Sequence, residues 1–149
     1  MSLAWEKSYP WIGGTVVLVG TGLAACRWGI PSNATPLLNS FVSTSGILVG
    51  FLATAKTILL AIEEKRIIQQ MKTQGYYGLF VTYLVQATYS ALLLALLSSV
   101  GALFDFKNQD HLHRAFFAVW AGNVTHAGLA LNRVLRVLSV FLHTSSEAS

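Results

Sequence analysis

Acidic side chains are scarce in this chain. Six Asp and Glu stand against ten Lys and Arg in 149 residues, and only 11% of the residues are charged, whereas a typical soluble domain carries about 25%. That shortage argues against a water-soluble fold. All six acids also lie outside the long apolar runs, so the chain lacks the intramembrane carboxylate that a proton-coupled small multidrug exporter needs. Cysteine occurs once, as Cys26, which excludes an intrachain disulfide and a thiolate metal cluster. HExxH, GxSxG and a phosphate-cradling glycine loop are missing, and Cys26 has no base beside it in sequence. No catalytic residue and no enzyme is therefore expected. His111 and His113 offer two imidazoles beside Asp105 and Asp110, but no further His or Cys is near, so neither a metal nor a cofactor is expected.

Apolar residues are plentiful instead, at 54% of the chain. They fall into four runs, about 9–26, 41–62, 76–104 and 115–138, each long enough for a helix to cross roughly 30 Å of hydrocarbon. The expected fold is all-α: one polytopic membrane domain over residues 1–149, a bundle of four transmembrane helices with a short cytoplasmic helical hairpin. The net charge of +4 is then the ordinary result of Lys and Arg anchoring helix ends. The first run follows MSLAWEKSYP and lacks a small-residue cleavage pattern, so it reads as a retained span. Pro10 is expected at its first turn, where a missing N–H costs little, and Tyr9, Trp11 and Trp28 at its ends. RWGIPSNATPLLNS, residues 27–40, reads as a loop because it holds two prolines and several turn formers. Asn33-Ala34-Thr35 matches an N-glycosylation acceptor, a short and common pattern.

The stretch from Ser43 to Lys72 organises the rest. Between Ser43 and Ile62 the only ionisable residue is Lys56, and the apolar run ends at Glu63-Glu64-Lys65-Arg66. Gly46, Gly50, Thr54, Thr57 and Ala61 share one helical stripe, a face of small residues that another helix can approach closely. Lys56 has two readings: a stem that snorkels to the interface, or a charge that favours anions in a pore or pairs with Glu63. Beyond the run, Ile67, Ile68 and Met71 at helical spacing extend the helix into the cytoplasm before Gly75 turns the chain.

On the fourth run Asn123, His126, Ala130 and Arg133 form a polar stripe in a greasy segment. Either they hydrogen-bond to the third span through Gln86, Thr88 or Ser90, or they line a wetted path or a proton-responsive gate. Lys7, Lys65, Arg66, Lys72, Arg133 and Arg136 fall on one side of the bundle against Arg27, Lys107 and Arg114 on the other, which places both termini in the cytoplasm. In a symmetric oligomer, Lys65, Arg66, Lys72 and Arg136 become part of a positive ring able to hold a nucleotide or short single-stranded DNA. Aromatic rings are not interleaved with these charges, which weakens the nucleic-acid case. The tail TSSEAS is expected to fray.

GFLATAKTILLAI, the charged cytoplasmic helix that ends at Gly-Tyr-Tyr, and a second hairpin of similar length resemble the small four-span membrane proteins of bacterial antiphage systems, Hailong and Kiwa. The likeness covers chiefly Gly50 to Leu84 and is one of hydropathy and small residues. A Hailong-like reading implies an oligomeric ion channel, a tetramer by that likeness, held closed by short DNA; a Kiwa-like reading implies a membrane sensor coupled to a cytosolic partner. The chain departs from the Hailong pattern in having no sizeable soluble region for a separate ligand-binding domain. The expected function is thus a gated, homo-oligomeric ion-conducting effector in a bacterial inner membrane. Its alternative is a non-conducting sensor or anchor that recruits a soluble partner through residues 63–75.

Overall fold

A computed structural model describes residues 3–31, 33–61, 76–104 and 110–146. Among these residues there are four helices and no strand: α1 (Leu3–Trp28), α2 (Ala34–Ala61), α3 (Tyr76–Ala102) and α4 (His111–Ser146). Three segments are long and apolar enough to cross a membrane: Ser8–Trp28, Ala34–Ile58 and Tyr77–Ala102. Described residues that are helical with no strand, and three such helices among them, are consistent with an integral membrane protein. The 36-residue α4 is more amphipathic and is not one of the three. The expected hairpin over 63–75 lies outside the described residues.

Helix ends differ from the sequence expectation for identifiable reasons. α1 starts at Leu3, so Pro10 stands inside the helix and not at its first turn. Its ring is fully buried, and the lost backbone bond is of the kind membrane helices tolerate when neighbours surround the break. The expected 27–40 loop shrinks to the residues between Trp28 and Ala34. Gly29 adopts φ 81° and its N–H reaches Ala25 O at 3.1 Å, the left-handed stop that glycine accepts without strain. Ala34 N–H then bonds Pro31 O at 3.1 Å, and α2 begins there with Pro36 in its first turn, where no N–H is needed. α4 begins at His111, four residues before the expected apolar start, just after Asp110, whose carbonyl takes the N–H of Arg114 at 3.2 Å. It runs on to Ser146, through the start of the tail expected to fray.

The helices pack in the order α1, α4, α3, α2. One core layer gathers Leu52 of α2, Phe80, Tyr83 and Leu84 of α3, and Ala130 and Val134 of α4. A second, nearer the α1–α2 connection, holds Ile30, Leu38, Leu94, Trp120 and Ala127. Outside the layers, Val16, Leu23, Ile47, Phe51, Leu96 and Leu103 are exposed, apolar surface of the kind a hydrocarbon solvent accepts. Polar groups on these outer faces are silenced locally. Thr15, Ser40, Thr44, Thr54, Thr57, Thr82 and Ser99 each donate to the carbonyl four residues earlier, so their hydroxyls need nothing from the surroundings.

Three contacts fix how the helices meet. α1 and α4 cross at glycines: a Cβ on Gly14 would lie 3.1 Å from Gly122 O, and one on Gly122 would lie 2.9 Å from Gly14 O and 2.8 Å from Leu18 Cβ. Only bare backbone allows that approach. The Tyr9 hydroxyl adds a bond to Leu129 O at 3.0 Å. Between α3 and α4, the Trp120 indole N–H donates to Ser98 Oγ at 2.9 Å, fully buried. Ser98→Ala is expected to cost about 1–3 kcal/mol by leaving the indole N–H unsatisfied, whereas Ser98→Ala with Trp120→Phe removes both partners and recovers the hydrogen-bond part of that loss. SDS titration followed by circular dichroism measures it; equal losses in the single and double variants would show that the bond contributes little.

Candidate functional site

The polar stripe of α4 faces inward, toward α1 and α3. Asn123 and His126 line an elongated cavity of about 470 Å³ between these three helices. Ser90 Oγ donates to Gln86 O at 2.8 Å and stands 3.2 Å from His126 Nδ1. In the arrangement where the serine proton goes to the carbonyl, the imidazole donates from Nδ1 to Ser90 Oγ, and Nε2 of the neutral ring is the acceptor. Nε2 of His126 and Nδ2 of Asn123 are both buried and have no hydrogen-bond partner among the described residues. Trp11 of α1 covers the imidazole, with ring centroids 4.5 Å apart and tilted by 52°. Trp11 itself is 62% exposed, so it rests against the site from outside.

Farther along α4, Arg133 is only 1% exposed. Its guanidinium carbon lies 3.7 Å from the centroid of the Tyr83 ring, and one Nη2 N–H donates to Gln86 Oε1. Stacking on an aromatic face and a bond to an amide oxygen are both ways to hold a cation away from water. Gln86 thereby joins two parts of the stripe: its side chain takes Arg133 and its carbonyl takes Ser90, which meets His126. Of the three α3 side chains anticipated as partners, Gln86 and Ser90 meet the stripe, while Thr88 donates to Leu84 O within its own helix.

The other candidate residues lie elsewhere. Gly46, Gly50 and Thr54 are exposed on the face of α2 opposite its buried Ser45 and Leu52, and a Cβ added at Gly46 or Gly50 would meet nothing within 4 Å. Lys56 is also exposed, but it stands about 200° around the helix from Thr54 at 100° per residue. The structure thus groups Asn123, His126 and, through Gln86, Arg133, and separates them from both the small-residue face and Lys56. Arg136 is exposed on α4. Lys65, Arg66 and Lys72 of the expected basic ring, and Glu63 as a partner for Lys56, lie outside the described residues. His111 is exposed and His113 meets Phe104 edge-on at 5.4 Å; no group of three metal-ligating side chains occurs among the described residues.

Three participants escape sequence reasoning: Trp11, Gly14 and Tyr83. Trp11 reads as an interfacial ring, and Gly14 carries no signal of its own, because nothing in one dimension says that the first helix packs on the last. Tyr83 carried a signal, since it lies one turn before Gln86 on the same helix and aromatic faces are common seats for Arg. No family model, no curated protein and no solved structure matches the chain.

Proposed function

We propose that α4 is a fourth span, that both termini and the 63–75 segment are cytoplasmic, and that copies of the chain assemble into a gated ion-conducting effector of a bacterial inner membrane. The fourth span is supported by the orientation of α4: Asn123 and His126 turn toward other helices, and from 115 to 131 its exposed positions are Ala115, Val119 and Gly128, none of them polar, with the exposed Asn132 and Arg136 following toward its proposed cytoplasmic end. A helix with its polar side inside and its apolar side outside suits lipid and not water.

The observation that carries self-association is the α2 face. Gly46, Gly50, Thr54 and Thr57 are small, outward and locally satisfied in hydrogen bonding, which is what close helix approach in a membrane requires. Cyclic copies meeting through this face would surround a path lined by α2. Arg136, with Lys65, Arg66 and Lys72, would then ring its cytoplasmic mouth and attract an anionic ligand such as a nucleotide or short single-stranded DNA. Lys56, about 200° from Thr54, would lie off the path. The antiphage setting comes from the resemblance of residues 50–84 described above.

Purified protein in planar bilayers tests this reading. Discrete currents, together with an oligomer on chemical crosslinking, are expected for the wild type and for Lys56→Ala. Gly50→Leu, which blocks close approach without touching any contact within one chain, should lower both by about tenfold or more, the effect of losing roughly 1.4 kcal/mol at the interface. Unchanged currents in Gly50→Leu, or silence across voltage, pH and added oligonucleotides, would overturn it in favour of a non-conducting anchor.

A further inference from the structure

The cavity between α1, α3 and α4 has two unlike ends. Toward one end it is bordered by Gln86, Ser90, Asn123 and His126; toward the other by Leu18, Leu97 and Val119. From Gln86 to Leu97 is 11 helical residues, or about 16 Å. The wall is overwhelmingly apolar, and it is open on the side where Trp11 and Tyr89 stand exposed. Those rings belong to α1 and α3, the helices long and apolar enough to cross a membrane, so the opening faces lipid if they do so. An elongated, laterally open pocket of this volume is the right size for a small amphiphile.

The polar end says which amphiphile. His126 Nδ1 is spent on Ser90, which leaves Nε2 an acceptor, and Asn123 Nδ2 is a donor; both are buried without a partner among the described residues. An unsatisfied donor and acceptor in an apolar setting are costly, and each is relieved by one hydrogen bond. Asn123 and His126 are three residues apart on one helix face, so the two atoms belong to neighbouring side chains. A hydroxyl donates once and accepts, and so serves both. A carboxylate only accepts and leaves Nε2 unserved; an ammonium only donates and leaves Nδ2 unserved. Trp11 packs on the imidazole, but the residue is 62% exposed, so side-chain rotation alone would uncover the ring without movement of a helix.

We propose that this cavity is a binding site for an uncharged single-chain amphiphile with a hydroxyl head, its tail along Leu18, Leu93 and Leu97 and its hydroxyl between His126 Nε2 and Asn123 Nδ2, with Trp11 as the displaced cover. The proposal rests on α1 and α3 spanning the membrane and is independent of self-association and conduction.

Trp11 provides the readout. With the full chain in lipid nanodiscs, bromoundecanol should quench tryptophan fluorescence saturably, and the saturable part should vanish in Trp11→Phe. At equal mole fraction in the bilayer, bromoundecane and bromoundecanoate should each bind about tenfold or more weakly. His126→Phe keeps a ring against Trp11 and Asn123→Leu keeps bulk; each should erase the preference for the alcohol over the alkane. Leu93→Phe adds bulk to the apolar part of the pocket without adding a fluorophore that reports there, and should weaken the alcohol while Asn123 and His126 stay intact, which separates pocket occupancy from loss of fold. Equal quenching by alcohol and alkane, tighter binding of the carboxylate, or a preference that survives both polar substitutions would overturn the assignment.

Discussion

Gly122→Leu is expected to separate α1 from α4. Even a methyl group there would sit 2.9 Å from Gly14 O and 2.8 Å from Leu18 Cβ. The oxygen belongs to backbone and the carbon lies at the root of a side chain, so rotation cannot make room. Relief requires one helix to back away from the other along the whole crossing. Overpacking by a few methylenes costs about 1–3 kcal/mol, occasionally more; Gly122→Ala should fall in that range and Gly122→Leu above it. Gly128 is the control, since a Cβ added there meets nothing within 4 Å, and Gly128→Leu should change stability by about 0.5 kcal/mol or less. Unfolding in SDS followed by circular dichroism tests the pair. Loss of tertiary stability with helicity retained is expected for Gly122→Leu, because a helix in lipid keeps its own backbone bonds without its neighbour. Similar stability in the two leucine variants would mean that the glycine crossing does not hold α1 in place.

Arg133→Ala should be of comparable size, for a different reason. It removes a desolvated cation–π contact of about 2 kcal/mol and a charged hydrogen bond of about 1.5–3 kcal/mol, and it strands Gln86 Oε1. A total near 3–5 kcal/mol is expected. Arg133→Lys keeps the charge but loses the flat group that stacks on Tyr83 while reaching Gln86, so it should recover little. Because Gln86 is the shared partner, Arg133→Ala and Gln86→Leu should combine non-additively, with a coupling of about 0.5–3 kcal/mol. Additive losses, or near-full rescue by lysine, would show that Arg133 acts only as a charge.

The two sites differ in how far they could be read ahead of the fold. Lipid as solvent imposes apolar windows of about 20 residues, and for that reason α1, α2 and α3 stand out in the sequence. Their ends do not, because Pro36 tolerates a first helical turn and His111 needs only Asp110 before it. The α4 stripe was legible as a set of side chains wanting partners, and Gln86 and Ser90 were legible as short polar residues on the preceding span. Which of them would bond was not: Thr88, between the two, turns back on its own helix. The small residues of α2 have the same periodicity whether they face a neighbour within the chain or the outside, so only the position of α3 shows that Gly46 and Gly50 are turned away. Lys56 lies in the same run as Thr54 yet on another side, which a list of polar residues along the run conceals.

The order in which the helices pack also dictates the order in which they can be assembled. α2 can pair with α3 as soon as both are made, and α4 can add to that pair, but the main neighbour of α1 is the last of the four helices to be made. Tyr9 and Leu129, which share a hydrogen bond, are 120 residues apart, and at synthesis rates of about 5–20 residues per second that is roughly 6–24 s. For that interval α1 waits in the bilayer with its glycine side bare. Of the four helices it is the first made and the last docked, so a chain cut short anywhere before Gly122 would keep α1 and lose the partner that holds it.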